Sequence, residues 1–174
     1  PNTFRRLFAE GTFNAAFVPS YTSELLSSKK KAQKFANSVF NLLVLALLSL
    51  TILIEIFMPN FIKLIAPGFS DIDEKFKLAV DLTRITFPFL LFISLASFFS
   101  AILNSHNKFA VAAAAPLFLN IILIICFLFI KNNTDLVYYL SYAITFAGII
   151  QFIFLIFFTR KYFYPSLNFN VQID

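Results

Sequence analysis

Cysteine, histidine and methionine each occur once in these 174 residues, tryptophan is absent, and glycine occurs three times. Cys126 lies inside an apolar run, so neither a disulfide framework nor a thiolate metal set can be built around it. His106, in a short polar stretch beside Lys108, has no second His or Cys near it to complete a metal site and reads as a solvated loop residue. No glycine-rich phosphate loop occurs, and no serine sits beside a base that could activate it. The chain is therefore expected to carry no catalytic residue, metal or cofactor. So few glycines, with seven prolines, also exclude a loop-rich or low-complexity chain.

Charge is scarce as well, at 13% of residues, whereas 59% are hydrophobic and 26 are Phe. A soluble domain of this length has too little interior to hide that much apolar surface; a bilayer removes the difficulty. The net charge of +5 does not point to nucleic acid, because the cations fall in short clusters flanking apolar runs, as in membrane loops. The fold class is an all-α integral membrane protein, a polytopic helical bundle.

Taken in order, the pattern predicts helices at about 3–28, 36–58, 72–103, 109–130 and 136–160, then a tail over 161–174, all within one partial membrane domain. Residues 39–58 carry one charge, Glu55, and at ~1.5 Å per residue they span a hydrocarbon core of ~30 Å. Pro59 is expected to stop that helix. Ala66-Pro67-Gly68-Phe69 reads as a turn, and Ser70 followed by Asp73 and Glu74 as a helix start with acids at the positive end of the dipole. Asp81 and Arg84 are three apart and can pair. Pro88 and Pro116 fall inside spans and should bend them, and Asn120 is suited to an interhelical hydrogen bond. Tyr138, Tyr139 and Tyr142 suit an interfacial aromatic belt.

Basic residues divide by loop. One set holds seven (Lys29, Lys30, Lys31, Lys34, Lys108, Arg160, Lys161), and the alternate set holds four (Lys63, Lys75, Lys77, Lys131) together with four acids. The positive-inside rule puts the first set in the cytoplasm.

The most informative stretch is the first, Pro1-Asn-Thr-Phe-Arg5-Arg6-Leu-Phe-Ala-Glu10-Gly11-Thr-Phe-Asn-Ala-Ala-Phe-Val-Pro19. Two guanidiniums and a carboxylate stand among apolar and small residues. Gly11 and Ala15 form a small-xxx-small pair that admits a close neighbour, and Pro19 should end or bend the helix near Val18. Ionisable groups within a membrane cost several kcal/mol unless they face protein or water, so Arg5, Arg6 and Glu10 either line a cavity or snorkel to the bilayer edge.

This motif resembles the signature of the MurJ (MviN) family of lipid II flippases. The similarity continues through Ala66-Pro67-Gly68-Phe69, Ile85-Thr86-Phe87-Pro88, Ala101-Ile102-Leu103-Asn104, and Ala115-Pro116 with Asn120. The family has fourteen transmembrane helices in two lobes, and this chain resembles helices two to six, part of the N-terminal lobe. A fragment is therefore expected, whose partners include the remainder of its own chain. The resemblance implies a bacterial inner-membrane transporter that flips the peptidoglycan precursor lipid II by alternating access. Its anionic headgroup would sit in a cationic cavity lined by Arg5, Arg6 and Glu10. A guanidinium suits that task, offering a diphosphate a planar fork of donors that never loses its charge. The competing readings are an exporter of another lipid-linked saccharide or of a drug, a membrane enzyme acting on polyprenyl phosphates, and a non-transporting scaffold.

Overall fold

The computed structural model describes residues 12–69, 72–130 and 135–166, and among them every regular element is helical. Helix α1 is Thr12–Ser27 and α2 is Lys29–Ile56. Then come α3 (Met58–Ile65), a 3-10 turn (Pro67–Phe69), α4 (Asp73–Thr86) and α5 (Pro88–Ser105). The order closes with α6 (Phe109–Ala114), α7 (Leu117–Ile130) and α8 (Leu136–Thr159).

Helix α2 starts earlier than the apolar pattern suggests. Ser28 takes an extended backbone (φ −169°, ψ 138°), and its hydroxyl accepts from the Lys30 amide at 3.2 Å. Cations in a first turn oppose the helix dipole, which argues for a later start. The serine cap contributes about 1 kcal/mol in the other direction, and the lysines become the first turns of α2 instead of a loop. Helix α4 begins at Asp73, with Asp73 and Glu74 in its first turn and Ile72 as its extended cap, which makes no side-chain capping bond.

Each proline acts differently. Pro19 does not end α1, which runs through it to Ser27; the neighbouring Ser20 hydroxyl donates to the Ala16 carbonyl at 3.1 Å. The preceding helix does end just before Pro59, at Ile56 with Phe57 as its cap, and Pro59 itself stands in the first turn of α3, where a missing N–H costs no helical bond. At Pro88 and Pro116 the preceding residues keep right-handed helical angles (Phe87 φ −62°, ψ −39°; Ala115 φ −57°, ψ −44°). Thus α4–α5 and α6–α7 are segmented helices of 33 and 22 residues. With α2 and α8 they make four helices long and apolar enough to cross a membrane.

Helix α5 is the hub and packs against α1, α2, α4, α6 and α8. Phe98 and Phe99 on it are fully buried, in ring contact with Phe40 and Phe163, and Phe98 also meets Phe17. Helix α7 buries none of its residues and leans on α8, leaving Leu117, Ile121, Ile124 and Leu128 exposed. Such a surface suits lipid, which is as apolar as leucine. Tyr139 and Tyr142 are also exposed near the start of α8.

The segment after α8 folds back onto the bundle. Phe163 is buried, the Gln33 side-chain amide donates to the Tyr164 carbonyl at 2.5 Å, and the Ser166 amide donates to Asn37 Oδ1 at 3.0 Å.

Candidate functional site

Arg5, Arg6, Glu10 and Gly11 lie outside the described residues. The second half of their motif is α1. Phe17 is buried there, stacked between Phe13 (5.3 Å) and Tyr21 (5.4 Å) and tilted against Phe98 (5.2 Å). These rings fix the rotation of α1 against α5 and so decide where Asn14 points.

Asn14 points into a cleft of about 370 Å³ between α1, α5, α6 and α8. Helix α5 supplies Ser97, Ser100 and Asn104, which recur at i, i+3 and i+7 and so fall on one helix face. Helix α8 supplies Gln151, with Leu155 one turn on. The α6 side supplies Phe109, Ala112 and Ala113, with Ala115 and Pro116 at the corner. None of the lining residues carries a charge.

Two buried polar atoms of the lining residues have no hydrogen-bond partner among the described residues. Gln151 is 1% exposed, and its Nε2 makes no hydrogen bond. Asn14 Oδ1 is likewise buried and unpaired. An unsatisfied buried group costs about 1–3 kcal/mol, so both atoms are local costs of the packing around the cleft. Sequence reasoning passes over both residues. The available signal is an isolated amide inside an apolar run, in Gly148-Ile-Ile-Gln151-Phe.

Other expectations turn out differently. Asn120 is exposed on α7 and makes no hydrogen bond among the described residues, because the main contact of that helix with the bundle runs along α8. No ion pair joins Asp81 to Arg84; the Arg84 guanidinium is exposed, and it acts electrostatically on Glu55 of α2. Oxygen Oε1 of that glutamate is buried without a hydrogen-bond partner.

His106 is not a solvated loop residue. Asn107 takes a left-handed backbone (φ 58°), a conformation asparagine tolerates, and it closes α5. The Asn107 amide donates to the Asn104 carbonyl (3.0 Å) and the Lys108 amide to the Leu103 carbonyl (2.8 Å), the paired bonds of a Schellman cap. The cap turns His106 inward, stacked on Tyr162 at 4.2 Å and hydrogen-bonded through Nε2 to the Tyr21 hydroxyl at 3.2 Å. Burial lowers the imidazole pKa from its usual value, and the Lys29 charge lowers it further.

Among the described residues no group of His, Cys, Asp or Glu could hold a metal ion.

Known proteins are similar to this chain in sequence and architecture. A family model described as lipid II flippase MurJ matches residues 1–172. A probable lipid II flippase MurJ of Rickettsia prowazekii (strain Madrid E) is 44% identical over 161 residues, covering 92% of this chain and 32% of that protein. A second, from Rhizobium tropici, is 42% identical over 157 residues, covering 87% of this chain and 30% of its own length. Among solved structures, a lipid II flippase MurJ in an inward closed conformation superposes with a TM-score of 0.78 at 31% identity, covering 99% of this chain and 35% of that one. The chain thus spans about a third of the length of the relatives it matches.

Proposed function

Because this chain belongs to the lipid II flippase MurJ family, and is with its four apolar spans a multi-pass membrane protein, we propose that it forms part of a transporter moving lipid II from the cytoplasmic to the periplasmic leaflet. The reading makes the protein a carrier, not a catalyst, in the bacterial inner membrane and in the service of peptidoglycan synthesis. Its partners are lipid II, the surrounding lipids and the remainder of a longer chain. These helices would supply most of the first of two lobes that rock about a central cavity.

The observation that carries the proposal is the match over residues 1–172, which includes Arg5, Arg6 and Glu10. In the proposed mechanism Arg5 receives the diphosphate, Arg6 adds charge beside it, and Glu10 tempers the site so that substrate is released. A guanidinium is suited because it pairs two oxygens at once and stays charged at every physiological pH. The basic clusters Lys29–Lys34, Lys108 and Arg160–Lys161 support placing the α1–α2 junction, the α5–α6 turn and the end of α8 in the cytoplasm.

The test is complementation. In the full-length protein, Arg5→Ala should fail to rescue cells depleted of their own lipid II flippase while accumulating to the normal level. Normal rescue by that variant would remove Arg5 from the site.

A further inference from the structure

The chain that leaves α8 turns back at once onto the bundle. Thr159 is fully buried, and its carbonyl accepts from the Tyr162 and Phe163 amides at 2.8 and 3.0 Å. Tyr162 then stacks on His106 of the α5 cap at 4.2 Å, and that imidazole is hydrogen-bonded to the Tyr21 hydroxyl of α1 at 3.2 Å. Phe163, 1% exposed, meets Phe40 of α2 at 6.3 Å and Phe98 and Phe99 of α5 at 5.6 and 6.2 Å. Beyond it the chain follows α2: the Tyr164 carbonyl accepts from Gln33, and the Ser166 amide donates to Asn37. Gln33, Asn37 and Phe40 recur at i, i+4 and i+7, so they fall on one helix face. Four residues of helix rise ~6 Å and two of extended chain ~6.6 Å, so both hydrogen bonds keep one register.

Five residues thus bind α2 and α5 directly and α1 through His106. A segment built to swing is held by few buried contacts and by exposed hydrogen bonds. This one is held by a ring inserted among three others, and withdrawing it would expose all four. We propose that Tyr162–Ser166 is a permanent clamp, which keeps the ends of α1, α2, α5 and α8 in one rigid body throughout the transport cycle. The proposal rests on the transport reading above and adds to it where movement starts. The end of α8 is not a hinge, and residues up to Ser166 travel with this bundle. Rocking against the remainder of the longer chain therefore begins after Ser166. Tyr21 has a further consequence: it ties the exit of the bundle to the helix that carries the second half of the charged motif.

The experiment uses the full-length protein, freed of other cysteines, carrying Asn37→Cys and Ser166→Cys and reconstituted into vesicles with fluorescent lipid II. The 3.0 Å bond between these two positions puts them within reach of a short, reversible bis-methanethiosulfonate. That reagent should join them in most molecules, and the joined protein should flip lipid II within about twofold of the untreated rate. A loss of about tenfold or more, reversed by dithiothreitol, would show that the segment must let go, and would overturn the proposal. Sparse cross-linking would overturn it too, because the segment would not lie on α2. Spin labels at Ser38→Cys and Ser166→Cys, both exposed positions, give a second measurement. They should report one narrow distance that lipid II does not shift, and Phe163→Ala should broaden it. A second distance appearing with lipid II, or a distribution that the Phe163 change leaves as narrow as before, would overturn the clamp. If the wild-type protein moves no lipid II, the transport reading itself falls, and the spin-label distances still decide the clamp.

Discussion

The Thr145 hydroxyl on α8 donates to the Ile85 carbonyl on α4 at 2.5 Å, in the turn that Pro88 interrupts. Proline removes a donor and pushes carbonyls of the preceding turn away from the helix axis. In a bilayer no water is present to take them, so a neighbouring helix must. A threonine sixty residues along the chain does so, and the break between α4 and α5 becomes a fixed joint against α8.

Thr145→Val keeps the shape of the side chain and removes the donor. The expected loss is about 1–2 kcal/mol, at the upper end for interhelical hydrogen bonds, because the freed carbonyl finds no substitute. Thermal unfolding in detergent measures it. Thr145→Ser should retain most of the wild-type stability, and equal loss in both variants would mean the methyl group matters more than the bond.

One turn further along α8, Gly148 lets α5 approach. A Cβ added there would stand 2.7 Å from Phe89 Cδ2 and 3.4 Å from Phe92 Cβ. Gly148→Ala should therefore destabilise, by about 1–3 kcal/mol for an overpacked contact, although alanine is ordinarily the better helix former. Combining it with Phe89→Ala should cost less than the sum of the two single changes, since the clash is relieved. Strict additivity would place the strain elsewhere.

The helices can be read from the sequence because apolar runs of twenty residues leave a bilayer protein few choices. Residues 109–130 and 136–159 match that pattern closely, with proline shaping the first without ending it. Local chemistry is harder to weigh. Pro59 looks like a terminator when read from the N-terminal side, yet it is a good first-turn residue for α3, and Lys63 in the last turn of that helix is the matching signal at its other end. His106 misleads because a histidine among Asn, Ser and Lys looks solvated, and nothing local reveals that Tyr21 and Tyr162 converge on it from 85 and 56 positions away. The cleft is hidden for the same reason. Asn14, Ser100 and Gln151 are ordinary residues alone and become a set only when three helices bring them together.

The His106 contact should respond to pH. Its pKa is lowered on folding, first by burial and then by Lys29, so the neutral ring is the form the folded protein favours. Stability from this site is therefore complete above the ordinary histidine value near 6.5, and it declines as pH falls through that value, where the unfolded chain takes up a proton that the folded ring resists. Thermal stability recorded between pH 5 and 8 should drop on the acid side, and His106→Gln should flatten that drop. A ring titrating at or above its ordinary value by NMR would contradict this.

Phe163 anchors the segment that leaves α8, lying fully buried against Phe40, Phe98 and Phe99. The two hydrogen bonds from this segment to Gln33 and Asn37 are exposed, so their net contribution is small, and the ring carries most of the attachment. Phe163→Ala should cost roughly 3–5 kcal/mol locally by opening a cavity in an aromatic cluster, more than a short exposed segment can recover by repacking. The helices should survive, since α5 still packs on α1, α2 and α8. What should change is the protection of the Arg160–Lys161 pair, which trypsin would cleave much faster than in the wild type. Asn37→Ala should show a far smaller acceleration. Equal cleavage of the wild type and the Phe163 variant would mean that the segment is held by something other than this ring.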